Sequence, residues 1–285
     1  MRLFPLMGLV AVSGCTGNSL CGSWTDEVAV VLGDFDNIAE PFLRADVRHS
    51  TFEGLISTAA WDDSFDPDRL DSKVEDLFVG TDGAGQLSGF RTVFVGSGTR
   101  GLGLREYNGL GADDVFLRDD QVADNLRRYL GRGGILFATD WSYDLVEAVA
   151  PEAIDFWGDD AVLDAAQRGM DVDITAAVVD EELAAALGRS ELQIVVDYTD
   201  SVVIDGVSAE TVVHMTGRVQ VRPDATADPV WVDDVPLLVS FEPEDGGRIV
   251  LSTFHVDEQS AATMDVLIEY FVGSFDGTER CVGIE

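Results

Sequence analysis

Buried-strand and amphipathic-helix patterns alternate along the first half of the chain, and this alternation restricts the fold more than any other feature. Apolar runs predict strands at residues 27–32, 90–95 and 135–139. Helical spacing of apolar residues predicts helices at residues 119–130 and 143–149. Alternating strands and helices are typical of α/β domains. We therefore expect a mostly parallel sheet with helices on both faces.

The second half of the chain is richer in strand patterns. It contains predicted strands at residues 172–179, 192–198, 201–204, 211–221, 235–241 and 249–252, and predicted helices at residues 181–187 and 260–272. The strands either extend the sheet or form an antiparallel insertion, which we place at about residues 170–235. A chain of 285 residues suits one large domain. We expect residues 26–285 to form a single α/β domain with this insertion.

The N-terminus carries an export-type pattern. Arg2 precedes an apolar run over residues 3–12, and Val-Ser-Gly-Cys stands at residues 12–15. The run of about ten residues is too short to span a hydrocarbon core of about 30 Å. The tetrapeptide resembles the bacterial lipobox, which implies a signal peptide over residues 1–14 and a lipid anchor on Cys15, followed by a tether to residue 25. A buried N-terminal strand or helix is the alternative.

The lipobox resemblance implies a location outside the cytoplasm. Thr16 stands where retention in the inner membrane usually needs Asp, which favours the outer membrane. The chain has 18 Lys and Arg against 53 Asp and Glu, a net charge of −35. Because this charge repels nucleic acids and anionic headgroups, nucleic acid is excluded as a partner. The expected partners are the membrane, through the anchor, and an envelope protein or small molecule. Adaptation to salt is another explanation of the charge.

Two cysteines remain once Cys15 is acylated. Cys21 and Cys281 lie near opposite ends of the mature chain. Export would place them in an oxidising compartment, and the ends of domains are often close together. We therefore predict a Cys21–Cys281 disulfide. Two sulfur ligands are too few for a structural zinc site.

Two acidic patterns are candidates for a cation site. One alternates like the first ligands of a calcium loop and comprises Asp62, Ser64, Asp66 and Asp68. Pro67 and Lys73 stand where such a loop needs Gly and Glu. The other set would meet at strand ends and comprises Asp34, Asp36, Asp140 and His255. Neither pattern is specific enough, so we predict no metal site and no cofactor.

Polar residues follow the predicted parallel strands, at residues 33–37, 96–99, 140–142 and 254–258. Ligands of open parallel sheets bind beyond the carboxyl ends of the strands. The Gly-rich turn after the second of these strands would offer backbone amides, and neighbouring side chains would line the cleft. The expected ligand-binding residues are Gly96, Gly98, Asp34 and Trp141.

The order of these segments resembles the class I glutamine amidotransferase-like fold, a relative of the flavodoxin fold. Residues 94–98 look like the oxyanion strand of that family, and residues 138–142 fall at its nucleophile elbow, Gly-x-Cys-x-Gly. Phe-His-Val-Asp at residues 254–257 resembles the family's Phe-His-Pro-Glu. The resemblance implies that His255 acts as the base and that Asp257 orients it.

The elbow lacks the nucleophile of that family. Asp140 stands at the Cys position, and Ala138 and Ser142 replace the flanking glycines. A carboxylate is far less nucleophilic toward amides than a thiolate. Glutamine amidotransfer is therefore excluded.

Asp140 and His255 are expected to pair across the strand ends, which would raise the pKa of the imidazole. A hydrolase would use His255 with Asp140, or with Ser97 or Ser142 as nucleophile. The catalytic candidates are Asp140, His255, Asp257 and Ser97. We expect an envelope lipoprotein with a degenerate amidotransferase-like domain that binds a ligand or partner at the strand-end cleft. The alternatives are an extracytoplasmic hydrolase and a structural protein with a vestigial cleft.

Overall fold

The structure, a computed structural model, describes residues 26–33, 35–36, 38–44, 46–54, 72–99, 120–158, 166–224, 226–244 and 246–272. The strands within these ranges are β1 Asp26–Leu32, β2 His49–Glu53, β3 Ser72–Lys73, β4 Phe90–Val95, β5 Ile135–Thr139, β6 Ile154–Phe156, β7 Gln167–Gly169, β8 Ile174–Val178, β9 Glu191–Ile194, β10 Ser201–Val202, β11 Ile204–Val207, β12 Val212–Val221, β13 Val230–Phe241 and β14 Arg248–Ser252. The α-helices are α1 Ala39–Arg44, α2 Val74–Phe78, α3 Asp120–Leu130, α4 Tyr143–Val149, α5 Glu181–Leu187 and α6 Ala261–Val272.

A parallel region forms one part of the main sheet. Its strand order is β3-β2-β1-β4-β5-β14, and each neighbouring pair runs parallel. Apart from the short edge strand β3, this is the 2-1-3-4-5 order of flavodoxin-like doubly wound sheets. The predicted α/β fold class is confirmed. The carboxyl ends of β1, β4, β5 and β14 consequently reach the same edge of the sheet.

An antiparallel extension continues the sheet beyond β14. β13 pairs with both β14 and β12, and β12 pairs with β7 and β8. β9 pairs with β8, and β10 pairs with β7. β6 and β11 form a separate two-stranded sheet. The β-rich residues therefore extend the sheet with antiparallel strands, and their loops reach the edge where the parallel strands end.

Helices cover both faces of the sheet. α2, α3 and α4 bury Leu77, Leu126 and Leu145 in one apolar core, while α1 and α6 bury Phe42 and Leu267 in the other. Burying one such side chain contributes about 1.5–3 kcal/mol. Two cores on opposite faces therefore hold the strands rigidly and fix the positions of the loops at their ends.

Some local predictions differ from the structure. β9 ends at Ile194, whereas the predicted strand continued through residue 198. The main chain of Val195 bonds instead to the side chain of Gln259. β6 and β7 were missed because strands of three residues are too short to show alternation. The short strand β3 at Ser72–Lys73 and the helix α2, which begins at Val74, were not predicted, and residues 55–71 lie outside the described ranges.

Candidate functional site

Four polar side chains meet where the parallel strands end. Asp36 follows β1, Ser97 follows β4, Asp140 follows β5 and His255 follows β14. All four residues are buried, with exposed fractions of 0–5%. Parallel strands place their carboxyl ends at a common edge, so residues that are distant in sequence lie together here. We call this group the strand-end cluster.

Asp140 occupies a strained turn between β5 and α4. Its φ is 42°, in the left-handed region that non-glycine residues rarely adopt. Both carboxylate oxygens accept hydrogen bonds: Oδ2 from Ser97 Oγ at 3.0 Å, and Oδ1 from the Val202 amide at 2.8 Å. The strand–turn–helix geometry is that of a nucleophile elbow. The carboxylate at its apex, however, is bonded within the protein.

His255 faces Asp140 across the strand ends. Its Nε2 lies 3.3 Å from Asp140 Oδ2. This contact pairs the imidazole with a carboxylate whose hydrogen bond and charge both favour the protonated ring. The Tyr198 ring stacks on the imidazole with centroids 3.9 Å apart and planes within 5°. Burial opposes protonation, but Asp140 and the neighbouring carboxyl groups outweigh it and raise the pKa of His255.

Asp36 and Asp257 form a close carboxyl pair beside His255. Asp36 accepts hydrogen bonds from the amides of Val256 and Asp257, each at 3.3 Å. Burial, followed by repulsion from Asp257, raises the pKa of Asp36 to about 8. Asp36 is therefore protonated near neutral pH. A neutral Asp36 lowers the negative charge of the buried strand-end cluster, which reduces the cost of removing its charged groups from water.

The turns after β1 and β4 pack against each other at very short range. A Cβ on Gly33 would lie 1.9 Å from Ser97 O, and one on Gly96 would lie 2.4 Å from Asp36 O. Only glycine permits this approach. The Gly96 amide donates to Val31 O and the Ser97 amide donates to Thr139 Oγ1. Neither amide is available to a ligand in this arrangement, although Gly96 was predicted to bind a ligand.

A short stretch of the antiparallel extension lies over the strand-end cluster. We call residues 195–202 the covering segment. Trp141 Nε1 donates to Asp200 O at 2.7 Å, and the Val202 amide reaches Asp140. Gln259 Oε1 accepts from the Val195 amide, and Gln259 Nε2 donates to Val195 O, both at 3.0 Å. The sequence did not indicate Tyr198, because the covering segment has the pattern of a strand. It did not indicate Gln259 either, because this residue lies just beyond the polar stretch at residues 254–258.

Several residues of the predicted sites lie outside the described ranges. They are Asp34, Cys15, Cys21, Cys281 and the acidic pattern at residues 62–68. Gly98 lies in the turn after β4 and has a φ of 77°, a conformation that favours glycine.

Within the described part of the chain, no group of three or more His, Cys, Asp or Glu is arranged to hold a metal ion. No helix there is long and apolar enough to cross a bilayer.

A second buried polar network lies in the extension. His214 Nδ1 is 2.5 Å from Asp180 Oδ2, and His214 Nε2 is 2.7 Å from Ser240 Oγ. Tyr270 Oη donates to the same Asp180 oxygen at 2.9 Å. Burial lowers the pKa of His214 despite the contact with Asp180. A neutral His214 donates from Nδ1 to the carboxylate and accepts the Ser240 hydroxyl proton at Nε2. The network joins β12, β13, α5 and α6.

Together these features define an α/β protein with a flavodoxin-like parallel sheet and a covered polar cluster at its carboxyl edge. No protein-family model and no curated protein matches the sequence. PurLQS from Thermotoga maritima is similar in structure, with a TM-score of 0.49 and 8% identity over 85% of this chain and 96% of that chain.

Other similar structures include a cytoplasmic protein from Salmonella typhimurium, with a TM-score of 0.45 and 12% identity over 86% of this chain and 97% of that chain. A glutamine amidotransferase has a TM-score of 0.43 and 12% identity over 87% of this chain and 99% of that chain. These are likenesses of fold, and activity is argued below from the residues of the cluster alone.

Proposed function

We propose that this protein is a lipid-anchored component of the bacterial cell envelope whose α/β domain binds a ligand or partner at the strand-end cluster and catalyses no amidotransfer. The observation that carries the proposal is the state of Asp140. This carboxylate stands at the elbow, where a nucleophile would be needed, and both of its oxygens accept hydrogen bonds within the protein. The site therefore keeps the framework for a ligand but has no reactive group at its apex.

The neighbouring residues support a non-catalytic role. Ser97 donates its hydroxyl proton to Asp140, and His255 Nε2 faces the same carboxylate. A serine nucleophile needs a neutral imidazole that accepts its proton. The raised pKa of His255 instead favours the imidazolium, which has no free lone pair for this purpose. The three side chains consequently form an ion-paired cluster without a proton relay.

One observation favours the hydrolase alternative, namely the distance of 3.3 Å between Asp140 and His255. A carboxylate–imidazole pair can activate a water molecule once its proton is lost. Hydrolysis of p-nitrophenyl acetate and of glutamine tests this alternative on the full chain. We expect rates equal to those of the His255→Ala variant. A rate that disappears in His255→Ala and Asp140→Asn, but persists in a His49→Ala control, would contradict the proposal.

The membrane anchor is tested separately. The chain is expressed in a bacterial host with labelled palmitate, together with the variants Cys15→Ser and Cys21→Ser. We expect the wild type and Cys21→Ser to carry the label and to fractionate with the outer membrane, because only Cys15 follows a lipobox-like sequence. Cys15→Ser should carry none. A Cys15→Ser variant that retains the label would refute the anchor.

A further inference from the structure

We propose that the strand-end cluster recognises an extended peptide with an aromatic residue next to a positive charge, and that the covering segment occupies this site as an internal substitute. The inference rests on the binding function proposed above and specifies the class of ligand. It is argued from three independent features of the site: its bonds to main-chain atoms, the ring stacked on His255 and the distribution of charge.

Side chains of the site bind the covering segment largely through its main chain. Gln259 forms a reciprocal pair with the N–H and C=O of Val195, each at 3.0 Å. Trp141 donates to the carbonyl of Asp200, and Asp140 accepts from the amide of Val202. Contacts of this type do not depend on the side chains of the bound segment. Another peptide in the same conformation would satisfy them as well, provided that it keeps apolar side chains at the buried positions of Val196 and Val202.

The aromatic position is defined by His255. Its imidazole stacks face to face on the Tyr198 ring, with centroids 3.9 Å apart. An imidazolium attracts the face of an aromatic ring. Burial, followed by the nearby carboxylates of Asp140 and Asp36, raises the pKa of the Tyr198 phenol, so the position holds a neutral aromatic side chain. The stack uses the face of the ring, which any aromatic side chain can supply.

The charge of the covering segment opposes its own binding. Asp197 lies in the segment, close enough to Glu258 that burial, then repulsion from Asp197 and Asp257, raises the pKa of Glu258. A chain of net charge −35 adds a negative field around this edge. A ligand with Lys or Arg at the position of Asp197 would replace repulsion with attraction. The site consequently suits a cationic peptide better than its internal segment.

The experiment uses two fluorescein-labelled peptides: the sequence of residues 194–203, and the same sequence with Asp197→Lys. Fluorescence anisotropy measures their binding to the full chain, to Tyr198→Ala and to Thr199→Ala. Tyr198→Ala removes the internal ring from His255. Thr199→Ala is the matched control, because the Thr199 side chain is exposed and its hydroxyl donates to the neighbouring Asp200 carboxylate rather than to the strand-end cluster.

We expect both peptides to bind Tyr198→Ala at least about tenfold more tightly than the wild type or Thr199→Ala, since their aromatic ring no longer has to displace the internal one from His255 and only the main-chain contacts of the covering segment compete. The Asp197→Lys peptide should bind about fivefold more tightly than the unsubstituted one, and high salt should abolish this difference. A third peptide, in which the residue corresponding to Tyr198 is replaced by Ala, should not bind the wild type or either protein variant.

Absence of binding to a folded Tyr198→Ala protein at peptide concentrations of about 1 mM would overturn the inference. If Tyr198→Ala does not fold, amide hydrogen exchange of the wild-type protein, measured with and without the peptide, tests the inference instead. The Asp197→Lys peptide should then accelerate exchange of the Val195 and Val202 amides, and unchanged exchange overturns the inference. Neither result touches the proposed non-catalytic function, which fails only if the hydrolysis assays detect turnover dependent on His255.

Discussion

Replacing Asp36 by Asn should flatten the pH dependence of stability. The side chain is buried and its pKa is raised from 3.8 to about 8. Between these values the folded chain keeps a proton that the unfolded chain releases. The free energy of unfolding therefore falls as the pH rises from about 4 to about 8, by the linkage between proton binding and folding. Asn has no proton to lose, so this contribution disappears in the variant.

The size of the effect follows from the pKa. Each pKa unit corresponds to 1.36 kcal/mol, so the rise from 3.8 to about 8 gives at most about 6 kcal/mol over the whole range. Asn also replaces one acceptor by a donor next to the amides of Val256 and Asp257. The loss of one hydrogen bond costs about 1 kcal/mol at every pH. Asp36→Asn should thus be slightly less stable than the wild type at low pH and more stable at high pH.

Urea denaturation of both proteins across this pH range measures the difference directly. Asp171→Asn is the control, because it makes the same Asp-to-Asn change at an exposed position outside the strand-end cluster. His255 adds a fall in stability of the same sign, since its folded pKa is raised. Asp36 is one of the groups that raise this pKa, so Asp36→Asn should also reduce the His255 contribution and flatten the curve further. We expect the curves of wild type and Asp36→Asn to diverge by at least about 2 kcal/mol between the two ends. Parallel curves would refute the assignment of a protonated Asp36.

Four further substitutions test other parts of the structure by urea denaturation. Gly33→Ala should cost about 3 kcal/mol or more, because the new Cβ would lie 1.9 Å from Ser97 O and the backbone must move; an effect below 1 kcal/mol would argue against this close approach. Tyr129→Phe should cost about 1–3 kcal/mol, since the Ile135 amide loses its acceptor at 3.0 Å. Unchanged stability would contradict that bond. His214→Ala should cost about 2–4 kcal/mol and Ser240→Ala about 1 kcal/mol. The pKa of His214 is lowered from 6.5, so the wild type loses stability as the pH falls through 6.5, and His214→Ala should lack this loss.

Local sequence patterns were sufficient to predict much of the parallel sheet. The runs at residues 90–95 and 135–139 match β4 and β5, because strands buried on both faces are continuously apolar. The stripe of Val122, Leu126 and Tyr129 likewise predicted α3, whose buried face repeats with the helical period. Polar residues after these strands could be identified as candidates for the site, since a parallel sheet brings their ends to one edge.

The covering segment shows where sequence patterns were insufficient. Residues 195–198 have an apolar and β-branched character that suits a strand, yet Val195 bonds to Gln259 and Tyr198 stacks on His255. The contacts of Gln259 with Val195 and of Asp140 with Val202 span 64 and 62 residues. Periodicity describes only neighbours along the chain, so it carries no information on such pairs.

The sequence by itself determined the alternation of strands and helices, the absence of a thiol at the elbow and the strongly negative charge of the chain. These properties depend on residue identity and on short-range spacing. Only the tertiary structure decided that Asp140 is held by Ser97 and Val202, that burial beside Asp257 raises the pKa of Asp36 and that His214 bridges Asp180 and Ser240. Those outcomes depend on burial and on long-range contacts, which arise only when the antiparallel extension folds over the ends of the parallel strands.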